Sequence, residues 1–159
     1  MRLVTPKNMS WFFIAMFILA SGCAGSGLHI AGREGALEEN KIYDLHTGRT
    51  LTLAELARKT SPAKVIFIGE RHNHRVQHRN QLSLLKALFD IDPRLTLGLE
   101  VFPRPDQQLL DRWGRGELSE KEFAKLVTDE TLNITTFDLY FPILDFARKE
   151  KAPILALNA

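Results

Sequence analysis

Three of the chain's five histidines fall within seven residues, His72-Asn73-His74-Arg75-Val76-Gln77-His78, and Glu70-Arg71 stands directly before them. Imidazoles and carboxylates at that density can ligate a metal, pass protons near neutral pH or hold an anion. On a helix His74 and His78 lie one turn apart on one face. Continuing that face through Leu82 and Leu85 points His78 inward. A helical zinc pair usually carries a glutamate next to its first histidine, whereas Asn73 and Arg75 flank His74, so ligation and plain hydrogen bonding are equally open. Glu100 sits inside Leu97-Gly98-Leu99-Glu100-Val101-Phe102. A carboxylate in a buried strand needs a partner, whether His72, His74, His78, an arginine, a metal ion, a ligand or a structural ion pair. Arg71, Arg75 and Arg79 recur every four residues, a stripe able to grip carboxylates and more commonly a solvated face.

These residues must be positioned by elements, and from Lys64 onward compact apolar runs alternate with amphipathic stretches, the pattern of an α/β domain with a parallel sheet. Val65-Ile66-Phe67-Ile68 reads as a strand buried on both faces, Leu95 to Phe102 as a second and Pro153 to Asn158 as a third. Helices are expected over 74–89, near 104–113, over 119–128 with Ser119 and Glu122 as a capping box, and over 137–150. Pro142 suits a helical first turn. Upstream, Ile42, Tyr43 and Leu45 form a short strand candidate, and Thr52 with Glu55 opens a helix through Lys59. Ligands of open parallel sheets bind beyond the carboxyl ends of the strands, which places Glu70, Glu100 and Asn158 along one edge. The last strand ends one residue before the chain does, where a further covering helix is normal, so the domain reads as the N-terminal part of a longer one.

Tyr140, in Phe137-Asp138-Leu139-Tyr140-Phe141-Pro142-Ile143, has two roles open to it. It can pack with its hydroxyl satisfied, or serve as a phenolate-type ligand to ferric haem. Spacing alone favours packing. Taken together, Gly69-Glu70-Arg71-His72 with His78 and Gln81, Leu97 to Phe102, Leu110-Asp111-Arg112-Trp113 with Gly116, Tyr140 to Arg148, and Leu155-Ala156-Leu157-Asn158 resemble the ChaN-like haem-binding lipoproteins of the wider Tiki, TraB and erythromycin-esterase superfamily. The resemblance runs from about residue 42 to the end. It implies a three-layer α/β domain in an envelope lipoprotein that contributes to iron acquisition. It also implies a homodimer holding haem between subunits, with a tyrosine on the iron and a histidine of the partner near the propionates. Tyr140 is the residue carried over as ligand, Tyr43 being the other tyrosine, and His72 and His78 match the family pattern with Glu70 and Glu100 beside them. Family domains continue further, with a second glycine-histidine motif.

The N-terminus fits an envelope protein. Arg2 and Lys7, an apolar run from Trp11 to Ala20, and Ser21-Gly22 before Cys23 make a signal peptide over residues 1–22. Ten apolar residues span about 15 Å as a helix, roughly half a bilayer core, so cleavage is favoured over a permanent span. Leu19-Ala20-Ser21-Gly22-Cys23 resembles a lipobox, which makes Cys23 the lipidation site and residues 23–40, rich in glycine, a tether to a domain over 41–159. Ala24 after the cysteine, in place of a retention aspartate, points to the outer membrane facing the periplasm. Cleavage removes two of the 21 basic residues and none of the 19 acidic ones, leaving a neutral mature chain without the basic excess of a nucleic-acid binder. Three functions follow as expectations. The first is a non-catalytic haem-binding lipoprotein. The second is a metal-dependent hydrolase using Glu70, His72, His78 and Glu100 on a divalent ion such as Mn, Co or Zn. The third is an inert envelope scaffold. A serine hydrolase is set aside, since no Gly-x-Ser-x-Gly occurs.

Overall fold

Each helix start that the sequence marks with a cap is built as marked. The computed structural model describes residues 37–38, 40–130, 132 and 134–158. The signal segment, Cys23 and the tether through Ala36 lie outside the described residues. The chain divides into two compact units, 1–50 and 51–159, taken here each by itself. In the first, β1 (Ile42–Tyr43) leads into a turn closed by Asp44 N donating to Arg49 O at 2.9 Å, with Gly48 at φ 70°. This turn leads to β2 (Thr50–Leu51), which pairs with β1.

The second unit opens with α1 (Leu53–Thr60). Thr52 Oγ1 accepts from Glu55 N at 3.2 Å, and Glu55 Oε2 accepts from Thr52 N at 2.7 Å, which is the predicted reciprocal box. In α2 (Arg75–Phe89) His78, Leu85 and Leu88 form the buried stripe, with Leu82 and Phe89 half-buried beside it. Next come β3 (Leu97–Pro103), a short 3-10 turn over Arg104–Asp106, α3 (Gln107–Gly114), α4 (Glu120–Glu130), α5 (Ile134–Lys149) and β4 (Ile154–Asn158). Ser119 and Glu122 start α4 by the same reciprocal bonding, at 2.8 and 3.3 Å. After α3 the chain turns through Gly116 at φ 75°, with Glu117 N donating to Arg112 O at 3.0 Å.

β3 and β4 pair in parallel, Leu97 opposite Ile154 and Leu99 opposite Ala156, with an irregularity before Pro103 meets Asn158. This is the expected α/β arrangement. Leu99, Phe102, Ile154 and Ala156 face a core filled from α3, α4 and α5 by Leu110, Trp113, Phe123, Val127, Phe137 and Leu144. Trp113 stacks on Phe123 at 4.3 Å, donates Nε1–H to Leu144 O at 3.1 Å and carries the Arg148 guanidinium 4.1 Å above its ring. Gln107 clamps the sheet: its Nε2 donates to Ile154 O at 2.9 Å and its Oε1 accepts from Ala156 N at 2.8 Å. A side-chain amide thereby stands in for a neighbouring strand along β4.

Three expectations are corrected. Residues 65–68 form no strand and pair with none among the described residues, and Phe67 is 93 % exposed. An apolar β-branched run becomes a buried strand only where a neighbour supplies the ladder and layers cover both faces, and no described element does so here. Glu100 is exposed rather than buried, because Gly98, Glu100, Leu155 and Leu157 share the face of the pair opposite the core. It needs no partner, being open to water. Pro142 lies in the interior of α5 instead of opening it. The carbonyl it deprives of an N–H is that of Asp138, and both residues are on the exposed side of the helix, where water can take the bond.

Candidate functional site

At the sequence level Glu70 and Tyr140 are seventy residues apart, and the fold joins them. Glu70 lies in the irregular segment between α1 and α2, and Tyr140 projects from α5 one turn before Leu144 of the core. The Tyr140 hydroxyl donates to Glu70 Oε1 at 2.5 Å. His72 Nδ1 lies 2.7 Å from the same oxygen and 2.9 Å from the hydroxyl. His78 comes from α2, 2 % exposed, its ring edge-on to the Tyr140 ring at 4.5 Å and 68°. Its Nε2 donates to the His72 carbonyl at 3.1 Å and stands 3.2 Å from Glu70 Oε2. One N–H cannot serve both, which is why Glu70 Oε2 has no aligned hydrogen bond although an imidazole is within ion-pair distance.

The environment sets the protonation of the phenol. Burial, then the hydrogen bond to Glu70, then the charges of Glu70 and Glu100 raise the Tyr140 pKa well above the ordinary 10.0, so the free protein keeps its phenol protonated. Glu100 thus reaches the corner only as a charge. Tyr140 is 3 % exposed, whereas the His72 side chain above it is 60 % exposed. The covering group is a surface side chain, and the covered one belongs to the core.

Two glutamines seen in the sequence without a role complete the frame. Gln77 Oε1 accepts from Arg71 N at 2.6 Å, and Gln81 Nε2 donates to Ile68 O at 3.4 Å, so α2 holds the segment carrying Glu70 from both sides. Gln81 is among the residues that carry the family resemblance, whereas Gln77 is marked only by its place one turn before it on the helix that follows Glu70. His74, by contrast, caps α2: its Nδ1 accepts from Gln77 N at 3.4 Å, and it takes no part in the corner. Asn158 ends β4 opposite Pro103, away from it. Tyr43, the alternative tyrosine, accepts from Glu38 N at 2.9 Å in the first unit. Of the residues singled out in the sequence, the structure brings Glu70, His72, His78 and Tyr140 together, while Glu100 and Asn158 do not join them. Buried polar atoms without hydrogen bonds gather here, namely Glu70 Oε2, His78 Nδ1 and Gln81 Oε1. No group of three or more histidine, cysteine, aspartate or glutamate side chains among the described residues is arranged to hold a metal ion.

The family model described as "Haem-binding uptake, Tiki superfamily, ChaN" matches residues 56–159, and the chain belongs to that family. No curated protein and no solved structure matches. Among the described residues no helix is long and apolar enough to cross a membrane.

Proposed function

We propose that this protein is an envelope lipoprotein that binds ferric haem for iron and haem acquisition, with Tyr140 as the iron ligand and the haem held between two copies of the chain. The observation that carries the reading is the Tyr140 hydroxyl itself, held at 2.5 Å by Glu70 in a member of a haem-binding uptake family. The donor set suits the group. Ferric iron is a hard cation that takes phenolate oxygen, and haem with a tyrosine ligand is an established class. Glu70 and His72 aim the phenol oxygen, and Glu70 stands where the phenolic proton leaves. His72, exposed above the phenol, is the side chain that must swing aside to bare it. Bound haem supplies a Lewis-acidic iron and an apolar macrocycle, while the chain supplies the oxygen, its orientation and the surrounding charge. Cys23 carries the lipid, and Ala24 directs the anchor to the outer membrane, facing the periplasm.

Titration of the protein with ferric haem should give a shifted Soret band and a tyrosinate-type charge-transfer band. Tyr140→Phe should abolish the charge-transfer band and Tyr43→Phe should keep it. The reverse pattern would move the ligand to Tyr43, and no spectral change in the unmutated protein would remove the reading. Haem-dependent doubling of mass in sedimentation tests the shared haem. Palmitate labelling lost in Cys23→Ser tests the anchor.

A further inference from the structure

Glu70 and His72 are carried by a stretch of chain that the core does not hold. From Pro62 to Asn73 no apolar side chain is buried, and no strand pairs with the stretch among the described residues. Neither packing nor a ladder can therefore fix where the carboxylate stands, and the task falls to single polar bonds from α2 and its cap. Arg71 N donates to Gln77 Oε1 at 2.6 Å, His74 N to Arg71 O at 2.8 Å, His78 Nε2 to His72 O at 3.1 Å, and Gln81 Nε2 to Ile68 O at 3.4 Å. The last is at the limit of hydrogen-bonding reach, and the His78 N–H stands between two acceptors. The Gln77 bond is the shortest, and it is made next to Glu70.

A peptide unit is planar, so holding its N–H or its carbonyl holds the Cα atoms at both of its ends. Gln77 holds the unit that joins Glu70 to Arg71, and His74 N holds the unit that joins Arg71 to His72. The other capped helices show what Gln77 gives up. Glu55 and Glu122, each at the third helical position, reach back to the N–H of their own cap residues, Thr52 and Ser119. Gln77 occupies the same position behind the cap residue His74, but the His74 N–H is already taken by Arg71 O. Its amide reaches past the cap to the N–H beside Glu70. Half of a capping box is thus diverted from the helix to the segment that carries the carboxylate.

We propose that Gln77 is a positioning residue of the Tyr140 site, its side-chain oxygen setting through the Arg71 N–H where the Glu70 carboxylate meets the phenol. The inference rests on the haem reading above for its effect on the ligand, whereas the contact it explains belongs to the free protein. Tyr140 and Tyr43 are the two tyrosines of the chain, so in a Tyr43→Phe background the Raman tyrosine doublet reports Tyr140 alone. Its intensity ratio distinguishes a phenol donating strongly to a carboxylate from one that does not. Gln77→Met keeps the length and helix preference of the side chain and lacks the amide oxygen. It should move the doublet away from the strong-donor ratio, speed amide exchange at Arg71, and weaken ferric haem binding about twofold to tenfold, the worth of one hydrogen bond. Gln77→Glu keeps an acceptor oxygen at the same reach and should restore all three. Far-ultraviolet dichroism should stay unchanged in both variants. A capping role alone would lower stability and leave the doublet where it is. An unmoved doublet in Gln77→Met, or a displaced one that Gln77→Glu fails to restore, would overturn the inference. A doublet that moves as expected in a protein that takes up no haem would overturn the haem reading and leave the positioning of Glu70 by Gln77 standing.

Discussion

Helix α5 serves two regions that are held together by opposite means. Through Phe137, Leu144 and Ala147 it joins an apolar centre where Trp113, Phe102 and Phe123 are almost wholly excluded from water. Through Tyr140 it joins a polar corner where Glu70, His72 and His78 supply hydrogen bonds, and some buried atoms go unsatisfied. The apolar centre tolerates no gap, since dispersion and the hydrophobic effect reward filled volume regardless of direction. The polar corner depends on direction, because a phenol a short distance out of line with its carboxylate loses most of the bond. The centre is thus held by shape and the corner by direction, which is why the two should answer differently to substitution.

The comparison breaks most visibly if the apolar centre proves soft. Phe102→Ala should cost about 3–5 kcal/mol in denaturant unfolding, the usual range for a fully buried phenyl ring. A cost under about 1 kcal/mol would mean the centre can collapse around the gap, contrary to its close packing. In the polar corner Tyr140→Phe should cost about 1–3 kcal/mol, because it leaves the Glu70 carboxylate short of a donor, while far-ultraviolet dichroism stays unchanged.

The pH dependence sharpens the same point. The folded-state pKa of Tyr140 lies above the ordinary 10.0, so the unfolded chain gives up that proton first as pH rises. The phenol's contribution to stability is complete below about pH 10 and is lost above it, toward the folded-state value. Stability measured by urea unfolding should therefore fall from pH 10 to 11 more steeply in the unmutated protein than in Tyr140→Phe. Parallel curves would show that the buried phenol is not what titrates.

Smaller effects bear on the supports of the two regions. Gln107→Ala removes two bonds to the β4 backbone and should cost about 1–2 kcal/mol, with faster amide exchange at Ala156 as the local signature. Thr52→Ala breaks one capping box that makes no contact with Tyr140 or Glu70. It should cost about 1 kcal/mol and leave haem spectra untouched.

Local chemistry was legible in the sequence wherever a pattern and its cause lie within a few residues. Thr52 with Glu55, and Ser119 with Glu122, announce helix starts because the bonds they make are three residues long. The inward stripe of α2 followed from its helical period, which put His78 inside, as found. Residues 65–68 failed the same kind of reading, because whether an apolar run becomes a paired strand is decided by neighbours distant in sequence, and none among the described residues pairs with it. Glu100 failed for the related reason that burial belongs to a face of the sheet, and alternation along β3 gives no hint of which face is covered.

By itself the sequence determined the caps, the helical periods and the family resemblance, all of which depend on residue type and short spacing. Only the tertiary structure decided that Tyr140 meets Glu70 and His72, that Gln107 closes the edge of β4, and that Glu100 and Asn158 stay apart from the corner. Those contacts span tens of residues, and hydrogen bonds at such separations are selected by how the whole core packs, a constraint that no window of sequence contains.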